Sequence, residues 1–259
     1  VDQLVIAKLI VRMLWYRYGV DISFAPKIIV GKAGSGLHFH MMVEKDGHNL
    51  LVEDNKLSPL AKRMIAGILD SADALTAFGN TIPTSYLRLV PHQEAPTYIC
   101  WGDRNRSVVI RVPLGWTGAN NMIADANPVE CGCQGPRESK QTYEFRVADG
   151  SADPYLTVAG LIIASLNGIR RADSLEMAEK LYAHVNIFSP EFKDKLATLN
   201  QLPASCFESA EVLDKKRSTF EADGIFPKGM IDSKIKKLKS YNDKDRKSTR
   251  LNSSHTWIS

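Results

Sequence analysis

The chain has 259 residues, of which 44% are hydrophobic and 24% charged, with a formal net charge of +4. This is a soluble globular composition, long enough for one large or two ordinary domains, and its most apolar run, LTVAGLIIASL at 156–166, is too short to span a membrane. From Lys228 to Arg250 nine Lys/Arg stand against three Asp/Glu, so the basicity sits in the tail and no folded nucleic-acid surface is indicated.

Val5, Ile6, Leu9, Ile10, Met13 and Leu14 recur at helical spacing, which predicts an amphipathic helix over Val1–Tyr18 that Gly19 closes. SFAPKIIV at 23–30 reads as a strand and is followed by the glycine-rich GKAGSG. In LHFHMMV, Leu37, Phe39, Met41 and Val43 share one side of a strand, so His38 and His40 share the other. KDGHN at 45–49 predicts a hairpin, because Asp-Gly suits the turns that match strand twist.

Ser58 and Pro59 read as an N-cap and first turn of a long helix that Gly79-Asn80 stops. Residues 81–97 read as a loop, and SVVIRVPL and QTYEFRVAD as two further strands separated by an irregular segment at 115–138. In the second of these, Tyr143, Phe145 and Val147 face one way and Thr142, Glu144 and Arg146 the other. Asp153-Pro154 starts an apolar helix that runs to about Gly168, and from 171 the pattern is helical and polar, broken at Phe188-Ser-Pro190 and Leu202-Pro203. The last residues, 247–259, have no periodicity and read as a non-native tail. The N-terminus shows no signal-peptide pattern and Cys100, Cys131, Cys133 and Cys206 form no C-x-x-C pair, which points to reduced thiols in a cytoplasmic protein.

Glycine loops beside polar strands let backbone approach a ligand closely, but G-x-x-G-S-G is neither the dinucleotide fingerprint nor the P-loop. The H-x-H pair places two imidazoles where they suit a metal or an anion. Arg104, Arg106 and Arg111 fall within eight residues, and arginine's planar fork suits phosphate and carboxylate. Glu144 beside Arg146 reads as a structural ion pair or as a metal ligand next to an anion clamp. Together these residues suggest a polyanion-plus-metal site of the phosphoryl-transfer type, in a nucleotide-dependent ligase or kinase.

Four segments in this order resemble the glutamine synthetase family: GKAGSGLHFHM, SYLRLVPHQEAP, WGDRNRSVVIRVP and YEFRVADGSADPYL. The resemblance runs in register from Val1 to about Gly168. It implies an α+β fold, a glutamine synthetase/guanido kinase-like catalytic domain in which a curved antiparallel sheet, backed by helices, lines the site with its polar face. It also implies ATP-dependent ligation of ammonium to L-glutamate through γ-glutamyl phosphate, with Mg²⁺ or Mn²⁺ ions, in a homo-oligomeric ring. By the same resemblance His38 and Glu144 would bind a divalent ion, and His40, Arg106 and Arg111 would face ATP. Gly34 and Arg88 would hold glutamate, Glu94 would take a proton from ammonium, and Arg146 would stabilise the transferring phosphoryl group.

Three positions depart from the family pattern: Ala33 stands for Asn, Met42 for Ser and Thr142 for Arg. A γ-glutamyl ligase for another amine and a catalytically inactive relative would share this fold and stay open. The resemblance further implies that residues 1–246 are a partial catalytic domain, a fragment whose other metal-binding glutamates lie upstream of Val1, and that it is inactive alone.

Overall fold

A computed structural model describes residues 1–54, 56–114 and 140–244. The segment 115–138, Cys131, Cys133 and the tail 247–259 therefore lie outside the described residues. The chain opens with α1 (Asp2–Tyr16), β1 (Phe39–Met41), and two small hairpins, β2 (Glu44–Lys45) with β3 (His48–Asn49) and β4 (Val52–Glu53) with β5 (Lys56–Leu57). Next come α2 (Pro59–Gly79), α3 (Pro83–Arg88), β6 (Trp101–Asp103), β7 (Ile110–Val112) and β8 (Tyr143–Phe145). The rest is helical: α4 (Pro154–Arg170), α5 (Ser174–Lys180), α6 (Lys193–Leu196), α7 (Cys206–Lys215), α8 (Arg217–Glu221) and α9 (Lys228–Ser240).

The two long helices start as their sequences dictate. Ser58 Oγ accepts from the Ala61 amide at 3.2 Å with Pro59 in the first turn, and Asp153 Oδ1 accepts from the Leu156 amide at 3.1 Å with Pro154 behind it. Most of α2 is buried, and Ile65, Leu69 and Phe78 share one core with Leu161 of α4, Phe220, Phe226 and the sheet residues Ile110, Tyr143 and Phe145. Burial of these side chains, each worth about 1.5–3 kcal/mol, joins sheet and helices into one unit.

Where α2 crosses α4 the backbones themselves touch. A Cβ on Gly67 would sit 2.1 Å from the Ala164 carbonyl oxygen and 2.6 Å from Gly168 Cα, and one on Gly168 would sit 2.1 Å from the Arg63 carbonyl oxygen. Both glycines are required by this approach rather than by their backbone angles.

The sheet is open, in the order β1-β8-β7-β6. The expected antiparallel sheet is corrected here: β1–β8 and β8–β7 are antiparallel, but β6 runs parallel to β7, giving a mixed α+β sheet. The parallel step is made within residues 104–109, where Arg104 takes a left-handed conformation (φ 53) and its amide donates to the Val112 carbonyl. Parallel neighbours ordinarily need a crossover of a dozen residues or more, so a loop this short conceals β6 from sequence reading.

Three local expectations also change. Residues 23–30 are irregular rather than a strand, and the loop at 81–97 contains α3. The helix near the N-terminus forms, and Asp46-Gly47 turns its hairpin with positive φ at both residues (53 and 82) as expected. Yet α1 buries none of its residues: Leu9, Ile10 and Met13 are 56–60% exposed. Its polar side faces the body instead, with Lys8 Nζ donating to the Gly150 carbonyl at 2.7 Å and Tyr155 donating to Asp2 at 2.6 Å. Among the described residues no helix is long and apolar enough to cross a membrane.

Replacing Gly67 with Ala forces the helix pair apart, so G67A is expected to lose about 3 kcal/mol despite its better helix propensity. G229A in α9, where a Cβ meets nothing within 4 Å, is the control and is expected to stay within about 0.5 kcal/mol of the parent. Urea denaturation followed by tryptophan fluorescence checks this; equal stability of the two variants would refute the close crossing.

Candidate active site

The register of three strands builds the site. His40 on β1 lies opposite Glu144 on β8, and Glu144 lies opposite Arg111 on β7, so one row of side chains crosses the sheet on the face away from Tyr143 and Phe145. His38, two residues before His40, reaches the same carboxylate from the loop. The side chains predicted to share a face therefore meet.

The Glu144 side chain is fully buried. Arg111 Nε and Nη2 both lie 2.6 Å from Oε2, His38 Nδ1 lies 2.6 Å from Oε1, and Arg146 Nε lies 3.5 Å from Oε1. His40 Nε2 is more distant, 3.9 Å from Oε2, while its Nδ1 is hydrogen-bonded to the Thr142 hydroxyl at 3.0 Å. Burial alone would raise the Glu144 carboxyl, but the His38 hydrogen bond and the charges of Arg111 and Arg146 outweigh it and hold the group down at about 2. A buried carboxylate of this kind is sustained only by its cations.

The glycine loop closes over one edge of this cluster. A Cβ on Gly36 would fall 2.5 Å from both Arg88 Nη2 and His38 Nε2, and one on Gly34 would fall 2.5 Å from the Pro26 carbonyl oxygen and 2.9 Å from Arg88 Cγ. The glycines thus let the loop lie directly on Arg88. That arginine is buried, and its guanidinium donates to the carbonyls of Val147 at 2.7 Å, Arg146 at 3.0 Å and Ala148 at 3.3 Å. Burial draws its pKa down to about 10, a loss that Asp149 partly restores.

The remaining expected residues are brought near in part. Arg146 bridges segments: it donates to the carbonyl of Arg106 and, at 3.5 Å, to the carbonyl of Glu94. The side chains of Arg106 and Glu94 are exposed, and Glu94 and His92 both have left-handed backbones (φ 57 and 62).

Sequence reading missed Lys27 and Asp149. Lys27 is buried, with its ammonium on the Gln93 side chain and the Lys32 carbonyl, and ties the glycine loop to the 91–96 segment. Burial, with a lesser effect from Arg88, lowers its pKa. Asp149 is buried and accepts from Asn80 Nδ2 at 2.7 Å and from the Ser151 amide at 2.9 Å. Lys27 lies in a segment read as a strand and Asp149 in the turn after one, so neither had a pattern to mark it.

Among the described residues no group of three or more His, Cys, Asp or Glu side chains is arranged to hold a metal ion. The chemistry of the donors fits a divalent cation in part, since two imidazoles and a carboxylate converge. With Arg111 on Oε2 the arrangement is an ion-pair cluster, whose contacts a metal would have to displace.

Residues 1–250 match the family described as glutamine synthetase, catalytic domain. The chain belongs to the glutamine synthetase family. It is 36% identical over 241 residues to glutamine synthetase of Pyrococcus furiosus, covering 93% of this chain and 49% of that protein. It is 34% identical over 227 residues to that of Clostridium saccharobutylicum, covering 86% of this chain and 46% of that protein. The fold is similar to a cryo-EM structure of Plasmodium falciparum glutamine synthetase, with a TM-score of 0.70 at 24% identity, over 97% of this chain and 53% of that one. The chain thus spans about half the length of the curated glutamine synthetases it matches.

The pairing of Glu144 has a pH signature. Its carboxyl is held at about 2 in the folded chain against an ordinary value of 4.5, so its stabilisation is fully present above about pH 4.5 and is lost as pH falls through about 2. Glu144→Gln is expected to cost about 3 kcal/mol at pH 7, because Arg111 and Arg146 lose their counter-charge. Stability measured against pH checks both points: the gap between parent and variant should narrow from pH 4.5 towards 2, and a gap independent of pH would overturn the pairing.

Proposed function

We propose that the protein containing this chain ligates ammonia to the γ-carboxylate of L-glutamate, with ATP converted to ADP and phosphate. The observation that carries this reading is the Glu144 row, in which two imidazoles and two guanidiniums surround one carboxylate on the polar face of the sheet. It unites residues from three of the four segments that resemble the family's motifs.

In the reaction, a γ-carboxylate oxygen bonds to the γ-phosphorus of ATP as the bond to the ADP oxygen breaks. Ammonia then attacks the acyl carbon of γ-glutamyl phosphate and phosphate leaves. Anion meets anion in the first step, so positive charge must be in place beforehand. Arg111 and Arg106 are assigned to the ATP phosphates, and Arg146, braced by the Glu94 and Arg106 carbonyls, to the phosphoryl group in transfer. His40, oriented by Thr142, is assigned to the nucleotide phosphates.

His38 and Glu144 are the residues that would hold Mg²⁺ or Mn²⁺, which when bound neutralises phosphate charge. Arg88 and the Gly34 backbone are assigned to glutamate, which requires the guanidinium to exchange one of its carbonyl partners for the α-carboxylate. Glu94, exposed on the segment that follows α3, is assigned to accept the ammonium proton, leaving ammonia as the nucleophile.

Residues 1–246 are assigned as part of a catalytic domain and 247–259 as a non-native tail. The uncovered apolar side of α1 supports the first assignment, because a 15-residue helix with no buried residue gains little from packing. The ring of subunits is likewise part of the proposal, and the 259-residue chain by itself is expected to be inactive.

An assay of ADP release tests this in a protein of full family length. Release should require both glutamate and ammonium, and Arg146→Gln should lower kcat by about 10²–10³-fold with the fold retained. ADP release indifferent to glutamate and ammonium would overturn the function. Robust turnover by the 259-residue chain alone would overturn its assignment as a partial site.

A further inference from the structure

The opposite face of the same sheet edge carries a second cleft. Along β7, Arg111 points to the Glu144 row, whereas Val112 points the other way, and so do Trp101 and Asp103 of β6, which pair with Ile110 and Val112. Behind them lies a cavity of about 580 Å³ between the sheet edge, the β4–β5 hairpin and α5. Its size is in the range that takes a small organic molecule.

The charges in this cleft are not balanced internally. Glu179 is paired with Lys62 at 2.6 Å, which leaves Lys56 and Arg104 against the single carboxylate of Asp103, hydrogen-bonded by the neutral Tyr182 hydroxyl at 2.7 Å. Lys56 and Arg104 also line the cleft, are exposed, and make no salt bridge among the described residues. One net positive charge is left over in the cleft.

Val52, Leu57 and Val112 supply the apolar part of the walls, with the Trp101 and Tyr182 rings 4.9 Å apart at one side and Gln141 also lining the cleft. Arg104 is held here by a left-handed backbone whose amide is fastened to the Val112 carbonyl at 2.8 Å. Non-glycine residues persist in that conformation where the surroundings enforce it, and such positions gather at ligand sites.

We propose that this cleft binds a small organic carboxylate, with the carboxylate held by Arg104 and Lys56 and an apolar body lying against Val52, Leu57 and Tyr182. Phosphate alone would leave the apolar walls unfilled, and a neutral molecule would leave both cations unused. The site is separate from the Glu144 row, because the sheet lies between them. It needs neither ATP nor a metal, so it stands or falls independently of the proposed ligase activity.

Indole-3-acetate is the probe and its uncharged amide, indole-3-acetamide, the control. The 259-residue chain is labelled with ¹⁵N, and the indole N–H of Trp101, which donates to the Ala178 carbonyl at 2.7 Å, is the reporter, assigned by its loss in Trp101→Phe. Indole-3-acetate is expected to shift that resonance saturably below about 10 mM, and the amide to bind at least tenfold more weakly. Arg104→Gln with Lys56→Gln should abolish the difference between acid and amide while the remaining resonances keep their positions. ATP with Mg²⁺ should leave the titration unchanged. Absence of saturation, equal affinity for acid and amide in the parent, or displacement by ATP would each overturn the proposal.

Discussion

A carboxylate with no solvent exposure needs counter-charge on every side that water would have occupied. Glu144 meets that requirement only because β1, β8 and β7 pair in one register, with His40 and Arg111 as its direct neighbours across the strands. A slip of one residue would turn Arg111 into the apolar core and bring Val112 to the polar face. The charge therefore selects the register as strongly as the packing of Tyr143 and Phe145 does from the other side of the sheet.

The arginines of the motif-bearing segments serve as braces as well as charges. Arg88 donates to three successive carbonyls after β8, and Arg146 joins its own strand to the carbonyls of Glu94 and Arg106. A guanidinium can do this because its donors lie in one fixed plane and its charge persists even when burial opposes it. The substrate-facing duties proposed for Arg88 and Arg146 would thus fall on side chains that already brace the backbone around the site. Thr142 shows the same economy, since the residue that departs from the family pattern also orients His40.

Much of this was legible in the sequence where local rules decide the outcome. The strand alternation that set His38 together with His40, and Glu144 together with Arg146, the serine and aspartate caps of α2 and α4, and the Asp-Gly turn all depend on neighbours within a few residues. The hidden features depend on distant partners. Lys27 is buried only because Gln93 and Lys32 receive its ammonium, and Arg88 only because the glycine loop settles on it. β6 escaped notice because three residues carry too short a period, and its parallel pairing needs the turn at Arg104. The periodicity of α1 was read correctly as a helix, but which side meets the body is decided by Gly150 and Tyr155, far along the chain, with the Phe24 ring stacked under Lys8.

The meeting of Gly67 with Gly168 has a consequence for descent. Neither position can acquire a side chain while the helix spacing is kept, since each glycine's backbone occupies the room the other's Cβ would need. Change at one is coupled to displacement of the other helix, so the two glycines are expected to change together or not at all. A related sequence that keeps one and replaces the other announces a different distance between its helices, before any of its core residues are compared.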